Sequence, residues 1–274
     1  MKIVTDSSAD ILSLDGVSFA SAPLKIITSE REFVDNSELD VKEMVDYLAT
    51  YKGRSTTSCP NPDEWIRAFG DEKEIFCVTI TSALSGSNNS ANTAAKLYMS
   101  EHPDRRVFVV DSLSTGPEMV LIMEKMVELM NEGESFDRIK DAIMEYKERT
   151  GLIFMLESMN NLANNGRVSR LVAKFAGLLN IRVVAKASAR GDIEPLDKPR
   201  GRRATVQKII ERLQELGYRG GRMRIAHCFN EEVANEIKEI VLSRYEKARV
   251  SVAKCGGLCS FYAERGGVLI GFES

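Results

Sequence analysis

The sequence predicts an α/β protein with a Rossmann-like N-terminal domain, built on a parallel sheet, and a C-terminal α/β domain with a mixed or antiparallel sheet. In the first half, short apolar runs alternate with loops rich in Ser, Thr and Asp and with helical segments, which is typical of parallel βαβ units. In the second half, two strand-like runs meet across the turn sequence ARGD, which indicates a hairpin. The chain of 274 residues is long enough for two domains, which we place at 1–160 and 161–274.

Three apolar runs of the first half lead into loops that carry hydroxyl groups. The loops contain Ser7 and Ser8, then Thr81, Ser82, Ser85 and Ser87, then Ser112, Ser114 and Thr115. Ligands of parallel sheets bind outside the carboxyl ends of the strands, so these hydroxyls are candidate donors to a ligand. Any single one of them is more simply a helix cap. The run GLIFMLES at 151–158 is interpreted as the last strand of this first sheet.

A further loop of the first half has the features of an anion-binding site. Asn61 and Glu64 are spaced as a capping box at the start of a helix, and Thr57 and Ser58 lie just before it. Gly86, in the segment SGSNNSA, opens another helix and lets the backbone come close to a ligand. Helix N-termini attract anions, and donors without formal charge suit a carboxylate or a phosphate monoester.

Charge and hydropathy exclude several classes of partner. The chain has 37 basic and 40 acidic residues and a formal net charge of -3, which gives nucleic acid no general reason to bind. No apolar run approaches the roughly 18 residues of a membrane span, so we expect no stable membrane insertion. The N-terminus enters strand-like sequence without a basic leader and a hydrophobic segment. We therefore expect a soluble, cytoplasmic protein.

The cysteines and histidines give little support to a metal site or a cofactor. Five cysteines lie at 59, 77, 228, 255 and 259 without a C-x-x-C pair, so reduced thiols are expected. The chain contains only two histidines, which leaves a histidine-based hydrolase without its general base. We expect neither a metal nor a cofactor.

An enzymatic alternative remains open at this stage. Asp6 and Asp111 close two of the predicted parallel strands, and paired carboxylates at strand ends can hold Mg²⁺ in a phosphotransferase or hydrolase. The sequence lacks a P-loop and a G-x-S-x-G motif. The two carboxylates are otherwise expected to orient loops or cap helices.

Six motifs in order along the chain resemble the DegV family of bacterial fatty-acid-binding proteins. They are IVTDSSAD, TSCPNP, SALSGSNNSA, VVDSLSTGPEM, NNGRVS and RGRRA. The resemblance implies two α/β domains that hold a long-chain fatty acid between them, with its carboxylate fixed by hydroxyl groups. It also implies no catalysis by this chain, which would present the acid to a separate fatty acid kinase subunit for phosphorylation.

The family motifs transfer to particular residues of this sequence. The implied carboxylate ligands are Thr57, Ser58, Ser85, Gly86 and Ser87, with Arg167 and Arg202 as possible contacts from the second domain.

The last family motif is altered here. In the C-terminal segment, Tyr262 takes the place of the family's histidine, and Glu264 and Arg265 replace Gly and Pro. A tyrosine donates one hydrogen bond but stays uncharged at neutral pH. The sequence therefore predicts a carboxylate site without the titratable group of its relatives.

Two helical stripes are candidates for the wall of an acyl tunnel. The residues Leu171, Phe175, Leu178 and Leu179 follow NNGRVS and are the preferred lining. The stripe Met119, Met123, Met126 and Met130 is flexible enough to line a tunnel, but it is more typical of ordinary core packing. The basic run KPRGRR is a solvated patch or a docking site for an acidic partner or anionic lipid.

Overall fold

The computed structural model describes residues 1–169 and 181–274 and confirms the predicted α/β class. The strands in chain order are β1 (Lys2–Asp6), β2 (Ser18–Ala22), β3 (Lys25–Ile27), β4 (Glu32–Val34), β5 (Thr56–Ser58), β6 (Glu74–Thr79), β7 (Arg106–Asp111), β8 (Thr150–Leu156), β9 (Val183–Ala187), β10 (Ile193–Asp197), β11 (Arg222–His227), β12 (Arg249–Lys254) and β13 (Val268–Glu273). The described α-helices are α1 (Val41–Thr50), α2 (Pro62–Phe69), α3 (Ser87–Glu101), α4 (Pro117–Asn131), α5 (Phe136–Lys147), α6 (Asn160–Asn164), α7 (Arg202–Glu215), α8 (Glu231–Arg244) and α9 (Gly257–Ala263).

The first sheet has four parallel strands in the order β2-β1-β6-β7. Its strands are rich in Val, Ile and Phe because helices cover both faces, as the alternation of strands and helices predicts. The predicted capping box starts α2: the Asn61 side chain accepts from Glu64 N at 3.0 Å, and Glu64 accepts from Asn61 N at 2.8 Å. The parallel arrangement brings the loops after β1, β6 and β7 to one edge of the sheet.

The second sheet is mixed and has six strands in the order β10-β9-β8-β13-β11-β12. Only β11 and β12 in this sheet are parallel. The strand β8 pairs with β13 and β9, so the interpretation of GLIFMLES as the last strand of the first sheet was wrong. The sequence of an apolar strand looks the same in either sheet. Only its pairing partner decides between them, and β13 lies more than 100 residues further along the sequence. The domain limit at residue 160 stays a prediction.

A small antiparallel sheet, β4-β3-β5, was not predicted from the sequence. Its strands have three residues each, which is too short for a recognisable alternation. It places Thr57 beside Ile26 and lies next to α9, which contacts β3, α1 and the 3-10 helix Ser7–Ala9.

The methionine stripe lies in the core. Met119, Met123 and Met126 are fully buried in a cluster with Phe76 and Val78 of the first sheet, and Met130 packs against that cluster. This is the core packing that the sequence favoured over a tunnel wall. None of the helices in the described part of the chain is long and apolar enough to cross a membrane.

Candidate functional site

A cavity lies between the loop edge of the four-stranded sheet and one face of the six-stranded sheet. Its empty volume is about 810 Å³, counting the part open to solvent. Alternate residues of β8 face it: Leu152, Phe154 and Leu156 line the cavity together with Leu269 of β13, which stands opposite Phe154. The six-stranded sheet thus supplies an almost continuous apolar wall.

One end of the cavity is polar and contains four of the predicted ligand-binding residues. Thr57 Oγ1 lies 2.8 Å from Tyr262 Oη, in a hydrogen bond that joins β5 to α9. The Arg167 guanidinium lies 5.8 Å from the centre of the Tyr262 ring, and its Nε donates to Leu84 O at 3.1 Å. Ser85 lines the same end and accepts from Ser87 N at 3.2 Å. Two hydroxyls, a phenol and a cation therefore meet where the cavity opens.

The electrostatics of this end favour an anion. Burial raises the pKa of the Tyr262 phenol, while Thr57 and the Arg167 cation act in the opposite direction. The phenol therefore stays neutral near pH 7 and remains a hydrogen-bond donor. Arg167 also lines a neighbouring surface groove with Ser85 and Gly86, so this end of the cavity leads to solvent.

Ser87 does not face the cavity, because its hydroxyl donates to the buried carboxylate of Asp6 at 2.6 Å. Asp6 also accepts from Ile80 N at 2.9 Å and from the backbone and side chain of Ser8. Burial raises the pKa of the Asp6 carboxyl, and these donors oppose that shift. Ser87 therefore fixes the SGS loop from behind, and Ser85 is the hydroxyl of this loop that lines the cavity.

Three predicted residues, Ser58, Gly86 and Arg202, do not line the cavity. Ser58 pairs with Lys25 in the small sheet, and Gly86 lies in the surface groove rather than in the cavity. Arg202 begins α7 and forms ion pairs with Glu232 and Glu236, away from the cavity lining. The preferred tunnel residues Leu171, Phe175, Leu178 and Leu179 lie outside the described residues. Their predicted role stays a prediction.

Sequence reasoning missed the residue that holds α9 in place. The Asp35 carboxylate, 7% exposed, accepts from Gly257 N at 2.7 Å and from Leu258 N at 2.9 Å. It thereby caps the helix that carries Tyr262. Burial raises the pKa of Asp35. No local pattern could have revealed this contact, because 222 residues separate Asp35 from Gly257.

The carboxylates of the enzymatic alternative are engaged in structural hydrogen bonds. Asp111 Oδ1 accepts from Ser82 N at 3.1 Å and from Leu113 N at 3.0 Å, while Asp6 has the donors described above. Each carboxylate therefore orients the loop that follows a neighbouring strand. Within residues 1–169 and 181–274, no group of three or more His, Cys, Asp or Glu side chains is placed to hold a metal ion. All five cysteines are free.

The fold and this cavity define a class of α/β proteins with an internal cavity that is apolar along one wall and polar at one end. A family model described as "Uncharacterised protein, DegV family" matches residues 1–274, and the chain belongs to the DegV family. A DegV domain-containing protein of Streptococcus pneumoniae is 42% identical over 276 residues, which cover 99% of this chain and 98% of that protein.

Two solved structures are closely similar to this chain. A DegV family protein from Eubacterium eligens, loaded with heptadecanoic acid, has a TM-score of 0.98 and 45% identity and covers 100% of this chain and 99% of its own. The Fatty Acid Kinase (Fak) B3 protein of Streptococcus pneumoniae, loaded with linoleic acid, has a TM-score of 0.98 and 42% identity and covers 99% of this chain and 98% of its own.

Proposed function

We propose that this protein binds a long-chain fatty acid in the cavity, with the carboxylate at Thr57, Ser85 and Tyr262 and the acyl chain along the apolar wall. The observation that carries this proposal is a cavity with one polar end and one apolar wall. The two relatives loaded with heptadecanoic and linoleic acid support it, because they share the fold over nearly the whole chain. Arg167, at the same end, adds a positive charge.

The physical chemistry of the cavity suits such a ligand. Burial of a methylene contributes about 0.8 kcal/mol, so a chain of roughly fifteen methylenes contributes up to about 12 kcal/mol before ordering costs. The carboxylate loses hydration on entry, and charge-assisted hydrogen bonds from the hydroxyls offset that penalty. The apolar wall thus supplies affinity, while the polar end supplies orientation.

We also propose that the protein presents the bound acid to a separate fatty acid kinase in the cytoplasm and performs no chemistry itself. The name of the Streptococcus pneumoniae relative associates that protein with fatty acid kinase. The polar end opens beside the surface groove of Ser85, Gly86 and Arg167, where a partner can reach the carboxyl group. The hydrogen bonds of Asp6 and Asp111 argue against the alternative, a Mg²⁺-dependent phosphotransferase or hydrolase that uses these two carboxylates.

Native mass spectrometry of protein purified from cells tests fatty-acid binding directly. The expected spectrum contains the protein with an added mass equal to that of a long-chain fatty acid, and denaturing conditions remove the addition because it is not covalent. Protein that carries no such mass, and that takes up none after incubation with palmitic or oleic acid, would contradict the proposal.

A turnover assay separates the carrier from the enzymatic alternative. The isolated protein is incubated with ATP, Mg²⁺ and a fatty acid, and with a simple ester in a parallel reaction. We expect neither ATP consumption nor ester hydrolysis. Metal-dependent turnover that both Asp6→Asn and Asp111→Asn abolish would establish the enzyme instead.

A further inference from the structure

We propose that Leu152 and Ala187 form the wall that closes the inner end of the cavity and sets the longest acyl chain that fits. This inference rests on the proposed function and adds to it a limit on the ligand. Both residues line the acyl cavity and also a second cavity behind it. They are therefore the side chains that separate the two spaces.

The direction of the acyl chain follows from strand β8. Its cavity-facing residues run from Leu152 to Leu156, a distance of about 13 Å at roughly 3.3 Å per residue. Beyond Leu156 the polypeptide continues to Leu162 and then to Arg167, which lies at the polar end of the cavity. A carboxylate held at Arg167 and Tyr262 therefore directs its tail toward Leu152.

The hairpin of β9 and β10 closes the side of the cavity at Leu152. Ala187 pairs with Ile193 across this hairpin, and the register of β8 with β9 continues from Ile153 and Lys186 to bring Leu152 beside Ala187. The turn lies tightly against the loop after β7. At Gly191, with φ of +80°, an added Cβ would be 3.0 Å from the Leu113 Cα. The turn therefore leaves little space for a tail to pass.

The space behind the wall is polar and does not favour methylenes. It is lined by Glu118, Lys147 and Lys186 as well as by Leu152 and Ala187. Glu118 is 6% exposed and accepts from Thr150 Oγ1 at 2.8 Å, and burial raises its pKa. A tail that entered this space would remove these charged groups from water without replacing their hydrogen bonds. Among residues 1–169 and 181–274, the apolar path therefore ends at Leu152 and Ala187.

Two substitutions move this end wall in opposite directions. For each variant protein, the affinities for lauric, myristic, palmitic, stearic and arachidic acids are compared. Ala187→Leu adds volume at the inner end, so binding of the longer acids should weaken by about fourfold for each methylene displaced, with lauric acid unaffected. Leu152→Ala vacates room for one or two methylenes on the acyl side of the polar space, so arachidic acid should gain on palmitic acid by about tenfold. The measurement is competition binding at equal total lipid, below the micelle concentration.

Matched controls keep the volume change and move it away from the acyl cavity. Ala189→Leu makes the same addition two residues further along the hairpin, at an exposed residue that lines the second cavity and a surface pocket of the hairpin but not the acyl cavity. Ile153→Ala removes a buried side chain from the opposite face of β8, where Ile153 packs with Ile210 and Ile225. Both controls should bind the five acids with the same relative affinities as the unmodified protein.

The results distinguish the wall from the proposed function. Suppose that the unmodified protein binds the acids and that Ala187→Leu leaves their relative affinities unchanged. Then Leu152 and Ala187 do not limit the length of the acyl chain, while the proposal of fatty-acid binding stands. A uniform loss across all lengths in Ala187→Leu would equally overturn the wall. Ala187→Leu adds atoms at a partly buried position, so it decides the question even if Leu152→Ala does not fold. An unmodified protein that binds none of the acids refutes the proposed function itself.

Discussion

The two walls of the cavity differ in composition and in what they contribute. The wall from the four-stranded sheet consists of loops with hydroxyl groups, such as Thr81, Ser85 and Thr115. The positions of these loops depend on the carboxylates of Asp6 and Asp111. The wall from the six-stranded sheet consists of alternate apolar residues of regular strands, such as Phe154 and Leu269. A regular strand can present many methylenes to a tail, whereas a loop can aim a few donors at one point. Affinity and orientation therefore belong to different sheets.

The largest effect is expected from a polar group on the apolar wall. Leu269→Gln places an amide among the methylenes of the tail, where burial without a hydrogen bond costs roughly 2–7 kcal/mol. We expect fatty-acid affinity to fall by at least about thirtyfold, measured by competition binding after thermal unfolding has verified the fold. Leu196→Gln makes the same change on the opposite face of this sheet, where Leu196 is only partly buried. If both variants bind equally well, the apolar wall is not where the tail lies.

A second large effect is expected at the contact between Asp35, which follows β4 of the small sheet, and the first residues of α9. Asp35→Ala leaves Gly257 N and Leu258 N without their acceptor, and each unsatisfied buried N–H group costs about 1–3 kcal/mol of stability. The free energy of unfolding should fall by about 2–6 kcal/mol in urea titrations. The matched control is Asp40→Ala, which removes an exposed cap of α1 that accepts from Glu43 N at 2.9 Å and costs about 1 kcal/mol. Equal losses in the two variants would show that burial of the Asp35 cap adds nothing.

Local signals were sufficient to predict one wall and part of the site. Loops after parallel strands, the capping box at Asn61 and the motifs around Thr57, Ser85 and Tyr262 are encoded within a few residues, and the structure brings these three side chains to one cavity. The pairing of β8 and the capping of α9 by Asp35 depend on partners more than 100 residues away. Ser87 illustrates the same limit, because its inward rotation is set by Asp6 rather than by its own motif.

The hydroxyl groups of the loop wall should have a moderate effect. Thr57→Ala and Ser85→Ala each remove one donor to the carboxylate, so each should weaken binding by about 1–3 kcal/mol without unfolding the protein. Ser58→Ala is the matched control from the same strand as Thr57, because Ser58 does not line the cavity. Unchanged affinity in the Thr57→Ala and Ser85→Ala double variant would remove the carboxylate from this end of the cavity.

The smallest effect, and the one most specific to this sequence, is expected at Tyr262. Burial raises the pKa of its phenol, so the donor stays neutral and affinity should vary little between about pH 6 and pH 8 once the titration of the ligand is subtracted. Tyr262→Phe should lose about 0.5–1.5 kcal/mol, the contribution of one hydrogen bond. Isothermal titration across this pH range measures both quantities.

Replacement of Tyr262 by His should make the polar end titratable. Protonated His adds a charge-assisted hydrogen bond to the carboxylate, so affinity should be highest at low pH and fall as the pH rises through the imidazole pKa. The bound carboxylate favours the protonated form, while the Arg167 cation, 5.8 Å from the ring of Tyr262, favours the neutral form. Arg167→Gln combined with Tyr262→His should therefore move the transition to higher pH. If Tyr262→His lowers stability without any pH-dependent affinity, and Tyr262→Phe binds normally, then Tyr262 packs beside the site and does not contact the carboxylate.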